Sequence, residues 1–383
     1  MKQSFIILIL LLYSCKEYAP VKIGEAGIEF TLKALMQEAM DNSHNNMDGV
    51  AISISSTAKN IEWAGTLGYD SKEKNRELDI EQPFRIASLT KTFVAASILR
   101  LHEMDSLSIE EPLSKYISLK HQAILSADGY DLSKIKIFHC LNHTSGLYDY
   151  AMGGSPYKEV VRQDTKKKWT RTDQLKFATK HGEPLGYPGE KYAYCDTGYI
   201  LLGEIVEHFF DGDLAKGLRT LINYEKLSMN RTWLESLEDP PPNLKPQVGR
   251  YLGKIDALQF DPSTDLYGGG GIVSTVDDLR KFMKAIFNHG IYEKTSTLDM
   301  MLQKHQYDPT YDIYKDRRYK DYRQGLWKIT IMGKDVYMHS GLWGTHMLYQ
   351  PESDTAVAIN FTKGGSDRLI KKIFMTINDS EKQ

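Results

Sequence analysis

The stretch that decides the fold of this chain runs from residue 84 to residue 99 and reads FRIASLTKTFVAASIL. Its second half is a run of apolar helix formers without the alternation of a strand, which predicts a buried helix. Ser88 and Lys91 lie three residues apart at the start of this helix, so their side chains share one face. A serine hydroxyl becomes a nucleophile when a neighbouring group takes its proton, and a lysine can help. The free N–H groups and the dipole at a helix N-terminus also favour a developing negative charge nearby.

Taken alone, the Ser-x-x-Lys pair is a weak signal, because two fixed positions in four occur by chance in long chains. An N-cap serine followed by a solvated lysine would explain the same residues. The other motifs of the chain therefore have to decide between a catalytic and a structural interpretation.

Composition places the chain among soluble globular proteins. Its 383 residues are 41% hydrophobic and 26% charged, enough for one large domain or two interlocked ones. The 48 basic and 50 acidic residues nearly cancel, which argues against electrostatic binding of nucleic acid. Nothing in the sequence calls for a cofactor, and the oligomeric state is left open.

The N-terminal residues have the layout of a secretory signal, with Lys2 before an apolar run over residues 5–12 that is too short to span a bilayer. Ser14 and Cys15 follow this run and resemble the lipobox of bacterial lipoproteins, although Tyr13 is bulkier than that pattern prefers. We therefore expect a signal peptide over 1–14, lipidation of Cys15, a tether over 15–26, and a membrane-anchored protein in the periplasm or at the cell surface. A plain signal peptide with an incidental cysteine is the alternative.

The remaining chain predicts an α+β fold with strands at both ends and helices between them. A helix is expected over 31–40, strands over 50–55 and 61–68, and further strands over 325–331, 335–339, 345–350 and 355–361, before a closing helix over 367–377. One sheet completed by both ends of the chain would make the sheet region discontinuous, comprising residues 27–100 plus 260–383. Residues 101–259 would form an inserted helical region.

Two further sequence patterns could suggest a metal site or a phosphate-binding loop, but neither pattern supports that interpretation. His139 and His143 are four residues apart, but no acidic or cysteine partner follows at a metal-ligand spacing, so a capped helix end is preferred to zinc. The glycine run over 268–271 is not followed by Gly-Lys-Ser/Thr and therefore does not predict a phosphate loop. Cys140 and Cys195 are too few for a disulfide framework, and we predict no metal site.

Three motifs then occur in order along the chain: Ser88-Leu89-Thr90-Lys91, Tyr194-Cys195-Asp196 and His339-Ser340-Gly341. With the flanking segments FRIAS, HTSGL, PGE, TGY and the glycine run before Ser274-Thr275, they resemble the penicillin-binding serine hydrolases. That family includes class C β-lactamases, D-alanyl-D-alanine carboxypeptidases and related esterases. The resemblance covers residues 30–363 and implies a β-lactamase-like fold, a mostly antiparallel sheet flanked by helices beside an all-helical region.

The resemblance also implies a mechanism of acyl transfer. Ser88 would attack a carbonyl and form an acyl-enzyme, Lys91 and Tyr194 would share the proton transfers, and the sequence does not decide which of them is the base. Backbone N–H groups of Ser88 and Leu342 would form the oxyanion hole. Asp196, Gly341 and Leu342 would be substrate-binding residues. Trp343 would either border the substrate cleft or pack against the helical region.

Two positions depart from the family pattern. Asp196 stands where the family usually has asparagine, so it can only accept hydrogen bonds and should stabilise a charged Lys91. His339 stands where many members have lysine. A histidine titrates near neutral pH, and we expect a protonated His339 to bind a substrate carboxylate.

The sequence thus predicts a serine hydrolase of the bacterial cell envelope, acting on a small-molecule or peptide amide, β-lactam or ester. The motifs do not choose among these substrates. The alternative from another class is a catalytically weak penicillin-binding or sensor lipoprotein of the same fold, for which Asp196 is the favouring feature.

Overall fold

The computed structural model describes residues 27–152, 155–252, 255–305 and 321–380. Its helices are α1 (Gly27–Asp41), α2 (Thr90–Glu103), α3 (Leu119–Ala127), α4 (Ile137–Leu141), α5 (Tyr157–Gln163), α6 (Arg171–His181), α7 (Asp196–His208), α8 (Leu214–Ile222), α9 (Val276–Phe287), α10 (Thr295–Leu302) and α11 (Asp367–Asp379). Its strands are β1 (Gly49–Ser56), β2 (Ile61–Gly68), β3 (Phe84–Arg85), β4 (Trp233–Leu234), β5 (Tyr251–Leu252), β6 (Ile255–Asp256), β7 (Ile272–Ser274), β8 (Trp327–Ile331), β9 (Lys334–Gly341), β10 (Thr345–Gln350) and β11 (Thr355–Phe361).

The main sheet has the order β2-β1-β11-β10-β9-β8, and every neighbouring pair is antiparallel. Strand β1 near one end of the chain pairs with β11 near the other, with Ile54 opposite Val357. The predicted α+β fold with a mostly antiparallel sheet is therefore confirmed. The boundaries of the predicted sheet region and inserted helical region stay a prediction.

Both faces of this sheet are covered, as the alternation along β11 requires. Val357, Ile359 and Phe361 join the apolar cluster that contains α1 and α11. Ala356 and Ala358 point the other way, into the cluster that contains α9. The small alanines allow α9 to approach the sheet closely, so the sheet is sandwiched between helices.

Helix α2 lies where the sheet and the helical part meet, packed against α7, α8 and α10. Nearly all of its residues are buried, which explains why its sequence is apolar on every side. Phe93 on α2 stacks on Phe282 of α9, with ring centroids 3.6 Å apart and an interplanar angle of 14°. This packing fixes the helix that follows Ser88.

A small sheet of order β3-β7-β4 was not predicted, because strands of two or three residues carry no readable periodicity. Arg85 and Trp233 both pair with Val273 of β7. This sheet connects the residues before Ser88 to the residues after the glycine run. It therefore brings two sequence motifs together that are far apart along the chain.

The two helices that carry motifs begin close to the motif residues. Ser88, predicted at the start of a helix, lies in a 3₁₀ turn, Ala87–Leu89, and α2 itself begins at Thr90. Helix α7 begins at Asp196, and Asp196, Thr197 and Gly198 form its first turn although they lack the apolar pattern that marks the rest. Asp196 is thereby held by helical backbone.

The predicted signal peptide over 1–14, the tether over 15–26 and Cys15 lie outside the described residues. Within the part of the chain that the structure describes, no helix combines the length and apolar character needed to cross a bilayer.

Candidate active site

Ser88 is presented by a turn that several elements hold in place. Its neighbour Ala87 adopts φ +48°, a left-handed conformation that a non-glycine residue adopts only where the surroundings enforce it. Ile86 donates its N–H to the carbonyl of Ile272 at 3.0 Å, and its own carbonyl accepts from Thr345 Oγ1 at 3.0 Å. A Cβ at Gly341 would lie 2.2 Å from the Ile86 carbonyl oxygen, so only glycine allows β9 this close to the turn.

Lys91 is fully buried, and its Nζ has three oxygen neighbours. It donates to Ser88 Oγ at 3.2 Å and to the carbonyl of Gly269 at 2.7 Å, and it forms an ion pair with Asp196 Oδ1. Three acceptors match the three N–H donors of an ammonium group. The predicted proximity of Ser88, Lys91 and Asp196 is thus present, with Asp196 as the counter-ion.

Tyr194 hydrogen-bonds to the Ser88 side chain and stacks on Trp327, with ring centroids 5.6 Å apart. Burial, reinforced by the negative charge of Asp196, raises the pKa of Tyr194 well above its usual 10, although the hydrogen bond to Ser88 opposes this. Tyr194 is therefore a neutral phenol at physiological pH.

The loop that carries Tyr194 is braced by the HTSGL segment. His143 accepts the N–H of Cys195 on Nδ1 at 3.0 Å, and its carbonyl accepts from Ala193 at 2.9 Å. Thr144 accepts the N–H of Gly189 at 2.7 Å. The segment that served as a sequence landmark thus positions the tyrosine motif through backbone hydrogen bonds.

Two further aspartates, which the sequence did not single out, lie beside this group. Asp149 is buried and accepts the N–H of Asp196 at 3.2 Å, and burial together with the charge of Asp196 raises its pKa to about 8. Burial also raises the pKa of Asp265 to about 6, because the nearby Lys91 ammonium offsets only part of the effect. The position of Asp265 just before the glycine run is the only sequence signal that could have marked it.

Ser88, Tyr194 and Asp196 face one cavity of about 460 Å³. Aromatic side chains make up much of its wall, and Asp265 adds a carboxylate. Lys158 and Arg162 of α5 also border it. The complete lining is Ser88, Ala151, Met152, Tyr157, Lys158, Val161, Arg162, Tyr192, Tyr194, Asp196, Phe260, Thr264, Asp265, Trp327, Ser340, Gly341, Leu342 and Trp343.

His339 does not belong to this wall. It is fully buried, with Nδ1 3.0 Å from the Ser340 carbonyl and Nε2 3.2 Å from the Tyr322 hydroxyl. Burial and the charge of Lys91 lower its pKa well below 6.5. The expectation that a protonated His339 binds a substrate carboxylate is therefore wrong for this geometry, because the ring is neutral and points into the protein.

The residues after His339 do reach the cavity. Gly341 and Leu342 line it, and the Leu342 side chain is exposed. Trp343 is buried, borders the cavity and lies 6.4 Å from the ring of Phe260. Of the two suggested positions for Trp343, beside the cleft or against the helical region, the one beside the cleft agrees with this geometry.

Neither cysteine of the described residues is paired, and both Cys140 and Cys195 are buried. His139 accepts the N–H of Lys136 on Nδ1 at 3.0 Å, as expected for a capped helix rather than a metal ligand. Across the described ranges, no three His, Cys, Asp or Glu side chains are grouped as they would need to be to hold a metal ion.

Sequence comparison identifies the family. The profile of the family described as Beta-lactamase matches residues 32–377. The chain belongs to the beta-lactamase family. The resemblance found in the motifs is thereby confirmed.

Among curated relatives of this family member, Penicillin-binding protein 4* of Bacillus subtilis (strain 168) is 27% identical over 60% of the chain. The D-alanyl-D-alanine-carboxypeptidase/endopeptidase AmpH of Escherichia coli (strain K12) is 23% identical over 58%. The matches span only 51% and 53% of these two relatives' own lengths.

The D-amino acid amidase of Ochrobactrum anthropi SV3, in complex with L-phenylalanine amide, has a similar structure with a TM-score of 0.74 and 21% identity. That match covers 91% of this chain and 99% of the amidase. At this identity, the likeness shows the shared fold alone.

Proposed function

We propose that this protein is a serine hydrolase that forms an acyl-enzyme on small amides, peptides, β-lactams or esters. The observation that carries the proposal is the pair of hydrogen bonds at Ser88, one from Lys91 Nζ and one with Tyr194, at the wall of the cavity. The carboxypeptidase and endopeptidase activities named for one relative support hydrolysis and do not favour the alternative of a sensor.

In this proposal, Ser88 Oγ attacks the substrate carbonyl carbon while its proton moves to the Tyr194 hydroxyl, and Tyr194 gives its own proton to the departing amine or alcohol as the bond from that group to the carbonyl carbon breaks. Tyr194 and the Lys91 ammonium therefore both keep their charge state. Tyr194 lines the cavity whereas Lys91 lies beneath the wall, so Tyr194 is the member that can reach a leaving group and protonate it. The buried Lys91 ammonium stabilises negative charge on Ser88 or Tyr194 during the transfer. Water then hydrolyses the ester on Ser88, releasing the acid and restoring the hydroxyl.

The carbonyl oxygen would receive hydrogen bonds from the backbone N–H groups of Ser88 and Leu342. Both residues border the cavity, and the contact of Gly341 with the Ile86 carbonyl places the two backbone segments side by side. A negative charge that develops there would be stabilised by donors that are fixed in advance.

For location, we infer a cell-envelope protein anchored by lipid on Cys15. The inference rests on the signal-like residues 1–14 and on relatives named as a penicillin-binding protein and a D-alanyl-D-alanine-carboxypeptidase. A peptide or small molecule of the envelope would then be the natural substrate.

The hydrolase proposal is tested with a fluorophosphonate label and a panel comprising a nitrophenyl ester, a chromogenic cephalosporin and a D-alanyl-D-alanine peptide. Wild type should be labelled and turn over at least one substrate, and Ser88→Ala should lose labelling and about a thousandfold or more in kcat/KM. Ser296→Ala, at an exposed position on α10, is the matched control and should retain both. Unchanged labelling or turnover in Ser88→Ala would overturn the proposal.

A further inference from the structure

Among the described residues, Asp265 differs from the other aspartates near Ser88 in having no hydrogen-bond or ion-pair partner. Asp196 is paired with Lys91, and Asp149 accepts two backbone N–H groups. Asp265 is only partly buried, lines the cavity, and accepts no hydrogen bond from any of the described residues. An ionised carboxylate that has no hydrogen-bond or ion-pair partner beside aromatic side chains costs free energy. A positively charged ligand bound to it would offset that cost.

The glycine run holds this carboxylate near the nucleophile. A Cβ at Gly270 would lie 2.2 Å from Asp265 Oδ1, and a Cβ at Gly269 would lie 3.0 Å from Asp196 Oδ1. The carboxylates of Asp196 and Asp265 therefore lie next to Gly269 and Gly270, two consecutive residues whose Cα atoms are about 3.8 Å apart. Asp196 is linked to Ser88 Oγ through the Lys91 ammonium, so Asp265 lies within a small substrate's length of the reacting carbonyl.

The charges around Ser88 also favour binding of a cation at Asp265. Lys91 contributes one positive charge, and Asp196 with ionised Asp265 contribute two negative charges. The nearby Arg85 is neutralised by its ion pair with Glu235, in which Nε and Oε2 are 2.7 Å apart. Among these groups, ionised Asp265 is the charge that has no ion-pair partner in the described part of the chain, and one ammonium group would supply that partner.

The remaining titratable groups do not supply that cation. Asp149 is protonated at neutral pH because burial and Asp196 raise its pKa to about 8. Lys158 and Arg162 border the cavity from α5, and Arg162 has an ion-pair contact with Glu159 at 3.7 Å. Neither cation forms an ion pair with Asp265 in the described part of the chain.

We propose that Asp265 binds an ammonium group that the substrate carries next to its reacting carbonyl. This rests on the proposed function and narrows it to amides or esters of small amino acids with a free amine. The cavity of about 460 Å³ has room for such a substrate, and its aromatic walls suit an apolar side chain. An ammonium–carboxylate contact is a charge-assisted hydrogen bond, which is stronger than a neutral one.

The raised pKa of Asp265 predicts how binding in this role should depend on pH. With its pKa raised to about 6, Asp265 is neutral in weak acid and ionised above it. A free α-amine has a pKa of about 7.7 to 8.0 and stays charged across this interval. Recognition of an amine-bearing substrate should therefore strengthen between about pH 5 and 7.

The kinetic test compares D-alanine p-nitroanilide with propionic acid p-nitroanilide, which lacks only the ammonium group. Asp265→Asn should lower kcat/KM for the amine substrate about thirtyfold, chiefly through KM, and change the propionyl substrate less than about threefold. Asp265→Glu should restore part of the preference, and Asp299→Asn, at an exposed position on α10, should change neither. Equal losses on both substrates, or none, would overturn the proposal.

A binding test separates this proposal from the hydrolase proposal. In Ser88→Ala protein, D-alanine amide should quench or shift tryptophan fluorescence at a Kd well below that of propionamide, because Trp327 and Trp343 line the cavity. Adding Asp265→Asn to Ser88→Ala should abolish the difference in Kd between D-alanine amide and propionamide. It should also abolish the increase of that difference with pH. Preferential amine binding without turnover by wild type would refute only the hydrolase function, whereas equal binding of the two amides would refute the ammonium site.

Discussion

Asp196 is the counter-ion of the fully buried Lys91, and this ion pair replaces the neutral contact that asparagine makes in the family pattern. Removing one partner of a buried ion pair leaves an uncompensated charge, so the pair behaves as a unit. It holds Lys91 as a donor to Ser88 and the Gly269 carbonyl. It also puts a carboxylate into the cavity wall, where a substrate amide carbonyl would meet an acceptor.

We therefore expect Asp196→Asn to change substrate choice. An asparagine can donate to an acyl-amide carbonyl and no longer holds the Lys91 proton. The ratio of cephalosporin to nitrophenyl ester activity should rise at least about tenfold, equivalent to about 1.4 kcal/mol of differential transition-state stabilisation. Parallel assays of the two substrates measure this, with circular dichroism as the folding control. A constant or falling ratio would show that the carboxylate does not set the choice.

His339 should not act as a pH sensor in catalysis. Since burial and Lys91 lower its pKa well below 6.5, the imidazole stays neutral above about pH 6 and keeps its contact with the Tyr322 hydroxyl. We expect kcat/KM for a carboxylate-bearing peptide to have the same pH profile in wild type and His339→Gln between pH 6 and 8, although the rate itself falls through lost packing. If kcat/KM of the wild type changed between pH 6 and 8 and this change were absent in His339→Gln, a protonated His339 that binds the substrate carboxylate would again be the better interpretation.

Asp149 should make the protein less stable as the pH rises. Its folded pKa of about 8 lies above the ordinary value of 3.8, so the stability it contributes is fully present below about pH 4 and is lost as the pH rises through 8. Asp149→Asn retains an oxygen acceptor for the backbone N–H groups of Ala151 and Asp196 but has no proton to lose.

The melting temperature of Asp149→Asn should therefore exceed that of wild type at pH 8, by several degrees or more, and the difference should shrink toward pH 4. Thermal unfolding across this interval measures it, and Asp299→Asn serves as the control for losing a surface charge. A difference that grows on acidification would contradict the buried, protonated state of Asp149.

Anchoring through Cys15 stays a prediction that the described residues do not test. We expect native protein to partition into detergent and to gain the mass of lipid chains, since two or more acyl chains make membrane attachment stable. Cys15→Ser should remove the lipid and release the protein to the aqueous phase. Wild-type protein that is aqueous and unacylated in an expression host with lipoprotein-processing enzymes would contradict the prediction.

The sequence by itself determined the fold class, the family and the identity of the candidate nucleophile. These depend on local or linear information: the three-residue spacing of Ser88 and Lys91 on helical backbone, the apolar periods of the long elements, and the order of the motifs. The short strands β3, β4 and β7 carried no such period, so the contact between the Ser88 turn and the glycine run was invisible in the sequence.

Only the tertiary structure decided the electrostatics of the site. A pKa and a hydrogen-bond partner depend on burial and on groups from remote parts of the chain, which residue spacing does not encode. Packing therefore made His339 a neutral buried ring rather than a cationic ligand. For the same reason, Asp149 holds a proton, whereas Asp265, over the backbone of Gly270, faces the cavity with its carboxylate unpaired within the described structure.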